Sequence, residues 1–277
     1  MLGSFLIFAR EGIEGTLICA ILLTFLATAG RRDLFRWVLL GAGTAAGAAA
    51  VAGVVLWIAT RDAFVGSNAQ AWFETVVFGV AVVVLTYMTF WMRRHSRWLG
   101  KELRARLQGA MEHEGSHWAL FLLAFITVGR EAVETVIFLL AIAYQSSPLQ
   151  LGIGAVLGLG VALAIAFAMY RIGVKVNLGR FFAVVGALLL VVAAGLLANA
   201  VQNLQQLGVL PGAGAAMWNT SGVLPDSSGV GDVLHGLVGY SAAPTVLQGM
   251  LWAVFLAVGL TMFLRRPRAA APAARAA

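Results

Sequence analysis

Two short motifs contain the residues best suited to chemistry in this chain. Both read R-E-x-x-E and they are offset by 120 residues, comprising Arg10, Glu11 and Glu14, and then Arg130, Glu131 and Glu134. Residues three or four apart share one face of a helix, so each motif presents two carboxylates with an arginine within ion-pair reach. Carboxylate oxygens suit hard cations. The spacing therefore predicts a cation site, and the alternative is a pair of ion pairs that only lock helices together.

The composition places these motifs in an unusual setting. Of the 277 residues, 61% are hydrophobic and only 11% are charged, and the mean hydropathy is +0.89. Soluble domains are roughly 45–50% apolar and about 25% charged. With its single cysteine, Cys19, the chain also lacks a disulfide framework. These values exclude a cytosolic enzyme, a disordered chain and a disulfide-stapled secreted domain, and they predict an integral membrane protein.

Apolar stretches long enough to cross a bilayer occur seven times. About 20 residues are needed to span the hydrocarbon core. The predicted spans are 3–29, 35–59, 72–92, 118–144, 149–171, 180–201 and 246–264. Between and after them lie a cytoplasmic linker (93–117), an outer loop (202–245) and a disordered tail (265–277). The sequence thus predicts an all-α integral membrane protein with seven transmembrane helices in one permease-like domain, 1–277.

The basic residues predict how the chain is oriented. Sixteen of the 19 lysines and arginines fall in the loops after spans one, three and five or in the tail, whereas Arg61 stands alone on the opposite side. Excess Lys and Arg mark cytoplasmic loops. The amino terminus is therefore predicted outside and the carboxyl terminus in the cytoplasm, across the cytoplasmic (inner) membrane. The net charge of +7 belongs to that surface, so no nucleic-acid partner is expected.

The two motifs belong to a longer internal repeat. The second and fifth spans share a glycine-rich pattern, at Gly41, Gly43 and Gly47 and at Gly154, Gly158 and Gly160. Residues 1–92 and 118–201 then form two three-helix copies, with the seventh helix outside the repeat. Because three spans is an odd number, the second copy enters the membrane from the opposite side. Inverted repeats of this kind are typical of secondary transporters, whose substrate site lies near the midplane.

Several polar residues outside the motifs are weaker candidates. Glu74 opens the third span on the outer side and could pass ions inward, or it could be an interfacial carboxylate without a ligand role. Asp226, Asp232 and His235 lie in the outer loop, where they could capture metal or belong to a solvated loop. The cytoplasmic histidines are expected to be ordinary interface residues, or they could receive metal on its exit: His95, His113 and His117.

The paired REGIE and REAVE motifs, placed in the first and fourth of seven spans, resemble the high-affinity iron permease family, and the bacterial EfeU-type branch most closely. Two further stretches carry the resemblance, TYMTFWMRRHSRWLGKELR after the third span and LPDSSGVGDVLHGLVGYSAAPTVLQ before the seventh. The second motif has Ala132 where the family commonly has glycine. Nearly the whole chain is covered by the resemblance.

The resemblance implies a function. It implies import of iron, ferric or ferrous, as transported substrate, with no permanently bound cofactor and no enzymatic activity. Glu11, Glu14, Glu131 and Glu134 would be the iron ligands and the motif arginines their charge partners. Possible partners are a periplasmic iron-binding protein and a haem peroxidase or oxidase. Two alternatives stay open: a membrane-embedded lipid pyrophosphate phosphatase, and a transporter of another divalent metal such as manganese.

Overall fold

The fold was analysed in a computed structural model of the chain. The structure describes residues 1–63, 68–95, 105, 107, 109, 116–143, 147–168, 178–212, 214, 216–226 and 228–265. Within these ranges the regular structure is helical, apart from one isolated antiparallel bridge between Ala216 and Thr245. Most of the predicted cytoplasmic linker and nearly all of the predicted tail lie outside the described residues.

Eight α-helices and one short 3-10 helix make up the described part of the chain. They are α1 (Leu2–Thr28), the 3-10 turn (Arg32–Leu34), α2 (Phe35–Ala63), α3 (Asn68–His95), α4 (Ser116–Ala143), α5 (Pro148–Phe167), α6 (Leu178–Gln206), α7 (Gly229–Val238) and α8 (Val246–Leu264). Each predicted span coincides with a helix, from α1 to α6 and α8. The all-helical class is therefore confirmed for the described residues.

Five of these helices are long and apolar enough to cross a membrane by length and composition, namely α2, α3, α5, α6 and α8. The remaining two predicted spans, α1 and α4, are 27 and 28 residues long. Their apolar stretches are interrupted by the three charged residues of an R-E-x-x-E motif. The residues that make these two helices candidates for function are thus the same ones that make them less apolar.

The helices pack in a pattern that repeats. The most extensive contacts join α1 to α5, α2 to α4 and α3 to α6. In the first pair a Cβ at Gly154 would overlap Ser4, and in the second a Cβ at Gly41 would overlap the Phe121 carbonyl and crowd Ala124. Ser4 and Ala124 are 120 residues apart, like the two motifs. Glycine at both contacts lets the helix backbones approach closely, as is common between membrane helices.

Apolar side chains from α1, α3, α4 and α6 form the central core, and this core holds α1 and α4 in place. It includes Ile7, Leu85, Phe138 and Leu189, all buried. A second cluster fills the space where α1 ends beside α2 and α4, and it includes Leu22, Leu26, Val38 and Leu120. The motif of α1 lies between these two clusters along the helix.

The predicted outer loop, 202–245, contains more regular structure than the sequence indicated. Helix α7 forms within 202–245 and packs against α6 and α1. The Ser228 side chain caps its first turn, and Gly239 ends it with a φ of +69°. A left-handed residue after a helix is usually glycine because no Cβ is strained there. Ten residues with three glycines have no long apolar run, so the spacing gave little sign of this helix.

The end of α7 contacts the middle of the bundle. Gly239 lies directly against the backbone of Gly195 on α6, where a Cβ on either residue would overlap the other. The indole Nε1 of Trp252 on α8 donates a 2.7 Å hydrogen bond to the carbonyl oxygen of Val238. The segment 229–239 therefore folds back against α6 and α8.

Candidate metal site

Three carboxylates from the two motifs converge where α1 meets α4. One oxygen each from Glu11, Glu14 and Glu131 lies within 4.8 Å of the others, and all three residues are buried. Glu11 and Glu14 share a face of α1, and the contact between α1 and α4 brings Glu131 to that face. Residues 120 positions apart in the sequence thus form one cluster. Their role as metal ligands stays a prediction.

The fourth carboxylate of the motifs lies at the edge of this cluster. Glu134 is outside the group of three, and its Oε1 lies 3.7 Å from Nε of Arg130. The same guanidinium donates a 2.6 Å hydrogen bond from Nη2 to Oε1 of Glu131. Arg130 therefore connects Glu134 to the three grouped carboxylates.

The two motif arginines have very different surroundings. Arg10 has a side chain only 2% exposed; its Nε donates to Glu14 at 3.1 Å and its Nη1 lies 3.1 Å from Glu11. Arg130 has a side chain 48% exposed, and its guanidinium lies over the ring of Trp91 at 5.3 Å. The site is therefore closed around Arg10 and open beside Arg130.

Several carboxylate oxygens in the cluster have no hydrogen-bond partner among the described residues. They are Oε2 of Glu11, of Glu131 and of Glu134; Oε1 of Glu11 also accepts no hydrogen bond, but it lies 3.1 Å from Nη1 of Arg10 in an ion pair. Buried polar atoms normally have partners, so each unpaired oxygen calls for an explanation. Four carboxylates and two guanidiniums leave a formal charge of −2. A cation held by these oxygens would satisfy both the free lone pairs and the excess negative charge.

A cavity of about 670 Å³ adjoins the cluster. Glu11 and Glu131 form part of its wall, and small or apolar residues of α1, α2, α4 and α5 form the rest. Its small residues include Gly12, Gly15, Ala46, Ala49 and Gly53. The cavity therefore borders two of the three residues of the cluster, although their side chains are buried.

Glu74 lies at the contact between α3 and α6, apart from the three grouped carboxylates. Its Oε1 accepts a 2.8 Å hydrogen bond from Gln70, and its Oε2 accepts a 3.3 Å bond from Asn203. Asn199, one turn further along the same face of α6, is buried and neither atom of its amide has a hydrogen-bond partner among the described residues. Sequence reasoning passed over Asn199, although its spacing of four from Asn203 was a signal.

The outer-loop candidates serve the fold of the loop itself. Asp226 accepts a 2.7 Å hydrogen bond from the backbone of Ala242, and Nδ1 of His235 lies 2.7 Å from the Tyr240 carbonyl oxygen. The structure does not bring them to the motif carboxylates. The side chain of Asp232 lies outside the described residues, as do His113 and the side chain of His95. The ring of His117 lies against the indole of Trp37, with the ring centres 5.1 Å apart and the planes tilted by 44°.

Long apolar helices around a buried carboxylate cluster define a multi-pass membrane protein of the transport class, because intramembrane charges are retained mainly where function requires them. The model of the iron permease FTR1 family matches residues 1–273, and the chain belongs to this family.

Ferrous iron permeases named EfeU are similar in sequence to this chain over nearly its whole length. The ferrous iron permease EfeU of Shigella sonnei (strain Ss046) is 35% identical, over 99% of this chain and 99% of its own. That of Yersinia pestis is 34% identical, over 99% and 96%. An EfeU from Escherichia coli (strain K12), named as inactive, is 35% identical over 99% of both chains. These relatives are permeases and not enzymes. No solved structure matches the chain.

Proposed function

We propose that the protein is a permease that imports iron ions across the inner membrane through a site built by Glu11, Glu14, Glu131 and Glu134. The observation that carries this proposal is the convergence of three buried carboxylates, several of whose oxygens lack partners. Membership of the iron permease family supports iron as the substrate. Oxygen donors alone fit a hard cation, and the excess negative charge favours its entry.

Each motif residue has a distinct part in this proposal. Glu11, Glu14 and Glu131 are the first ligands, because they already share one small volume. Glu134 completes the set when Arg130 moves aside, which its half-exposed side chain allows. Arg10 is enclosed in this state, where it limits the repulsion between the carboxylates when no ion is bound. Any change in the oxidation state of iron belongs to separate partners, a periplasmic iron-binding protein and a haem peroxidase or oxidase.

We also propose that α1 to α3 and α4 to α6 are inverted copies and that all seven long helices cross the membrane. The matched contacts of Gly154 with Ser4 and of Gly41 with Ala124 support a twofold relation between the copies. In such folds the substrate site lies at the interface of the repeats. The amino terminus is then outside and the carboxyl terminus in the cytoplasm, as the basic loops predict.

The difference between the two arginines suggests how the site opens. Arg10 and Arg130 are equivalent by position in the repeat, yet one is enclosed and the other half exposed. In an inverted repeat, exchanging the two conformations turns a site open to one side into a site open to the other. We infer that transport alternates between this state and one in which Arg130 is enclosed and Arg10 is exposed.

The test is uptake of radioactive iron by a strain that lacks other iron transporters. Replacing Glu14 or Glu134 by alanine is expected to reduce uptake to the background of the empty strain, while the protein still reaches the membrane. Glu11→Gln and Glu131→Gln keep the side-chain size and remove one charge, so they separate loss of a ligand from loss of packing. Normal uptake by the Glu14 and Glu134 variants, at equal membrane amounts, would overturn the proposal.

The second candidate function is transport of another divalent metal through the same carboxylate site. Oxygen ligands alone accept Mn²⁺ as well as iron, and selectivity between such ions depends on geometry and availability. Competition between iron, manganese and zinc for uptake into proteoliposomes separates the two. Iron uptake that resists a tenfold excess of manganese supports an iron permease. Preferred uptake of manganese would instead show that the protein is a manganese transporter.

A further inference from the structure

A small polar pocket lies at the other end of the bundle from α7, where α1 ends and α2 and α4 begin. Its volume is about 380 Å³, and it is lined by Arg31, Asp33, Leu34, Arg36, Trp37 and His117. Apart from His117, these residues follow α1 directly or open α2, whereas His117 is in the first turn of α4. The pocket therefore joins the two copies of the repeat and lies away from the carboxylate cluster.

The pocket is basic and has an aromatic wall. The guanidinium of Arg36 lies 5.6 Å from the ring centre of Trp37. On the same indole, the His117 ring centre lies 5.1 Å away and that of Trp118 lies 5.6 Å away. Arg31 is the second arginine of the pocket. A cation such as iron would be repelled here, so the pocket is unsuited to receive transported metal.

The single acid of the pocket partly neutralises it. Asp33 accepts hydrogen bonds of 3.2 and 3.3 Å from Nε and Nη2 of Arg31, and both side chains are exposed to solvent. Arg36 has no such acidic partner among the described residues. The positive charge that is available to bind an anion is therefore mainly that of Arg36, because Arg31 is already paired with Asp33.

Exposed apolar side chains continue directly from the pocket along α2 and α4. Leu39 is 53% exposed, about one turn beyond Arg36, Leu40 is 51% exposed, about one turn beyond Trp37, and Leu122 is 54% exposed, one turn beyond Trp118. A free inorganic anion would use only the basic pocket. A phospholipid would use both parts, with its phosphate at the arginines and its acyl chains along these leucines. Basic pockets between membrane helices on the cytoplasmic side are known to hold anionic headgroups.

We propose that this pocket binds the headgroup of an anionic phospholipid of the cytoplasmic leaflet, with Arg36 on the phosphate, Trp37 at the glycerol level and the acyl chains on α2 and α4. The lipid would bridge the start of α2 in the first copy and the start of α4 in the second. This site goes beyond the proposed iron transport and does not depend on it, since binding is measured on the purified protein.

Native mass spectrometry of the purified full-length chain tests the proposal, with dioleoyl phosphatidylglycerol, dioleoyl phosphatidylcholine and inorganic phosphate as the three probes. Phosphatidylglycerol is expected to bind at least tenfold more tightly than phosphatidylcholine. Arg36→Gln is expected to weaken phosphatidylglycerol about fivefold, because one basic residue near an anionic surface is worth roughly 1 kcal/mol. Asp33→Asn is expected to tighten it severalfold by releasing Arg31.

Arg265, an exposed base at the end of α8, provides the matched control. Arg265→Gln removes the same charge outside the pocket and is expected to leave the affinity unchanged. Weakening by this variant equal to that of Arg36→Gln, or equal binding of the two lipids, overturns the proposal. The proposal is also overturned if inorganic phosphate displaces the lipid and the binding of phosphate depends on Arg36 to the same degree, because the ligand of the pocket is then a soluble anion. The opposite sign expected for Asp33→Asn separates a lost contact from a misfolded variant.

Discussion

Replacing Arg10 by methionine tests whether the carboxylate cluster is held together by that one enclosed cation. Methionine has a similar volume and no charge, so the change removes the ion pairs with Glu11 and Glu14 and little packing. Breaking a buried ion pair by removing one partner costs about 3–5 kcal/mol, because the other charge is left buried and uncompensated. We expect a loss of that size in the free energy of unfolding, measured by reversible denaturation in mixed micelles.

Arg130→Met is the matched control from the second motif. Its guanidinium is 48% exposed and less desolvated than that of Arg10, so its loss is expected to cost less than the loss of Arg10. The double variant Arg10→Met with Glu11→Gln restores the balance of charge and is expected to be more stable than Arg10→Met alone. Equal losses for the two methionine variants, or no recovery in the double variant, would refute this account of the cluster.

Metal binding gives a second measure of the same effect. Without Arg10 the formal charge of the four carboxylates and the remaining arginine is −3 rather than −2. A bound divalent cation stabilises the folded state by mass action, and more so where its affinity is higher. We therefore expect Mn²⁺ or Fe²⁺ to stabilise the Arg10→Met variant more than the natural protein, and stabilisation of the two by the same amount would count against a metal site here.

Two further predictions concern the packing that positions the site. A Cβ at Gly158 would lie 2.5 Å from the Phe5 carbonyl oxygen, so Gly158→Ala is expected to push α1 away from α5 and to lower the thermal stability of the protein. No atom lies within 4 Å of a Cβ at Gly160, so the control Gly160→Ala is expected to leave the thermal stability unchanged. Trp252→Phe removes the hydrogen bond to the carbonyl oxygen of Val238. Amide hydrogen exchange is therefore expected to become faster over 229–238 and to stay unchanged in the rest of the bundle. Unchanged exchange over 229–238 would contradict this account of α7.

Runs of about 20 predominantly apolar residues were enough to predict the positions of the seven long helices, although α1 and α4 each contain three charged residues. The short helix α7 was missed because it is neither long nor uniformly apolar. Its position depends on contacts distant in sequence, between Gly239 and Gly195 and between Trp252 and Val238.

The order of the amino acids is enough to identify the chemically exceptional residues, because charge in an apolar helix is too costly to occur by default. It also determined that Glu11 and Glu14 share a face, since helical spacing is a local property. The packing of α1 against α4 was needed to show that Glu131 joins them while Glu134 lies beside Arg130, and that Arg10 is enclosed while Arg130 is half exposed. Two identical motifs differ in this way because the surroundings of a side chain are set by the helices packed around it, which local spacing does not encode.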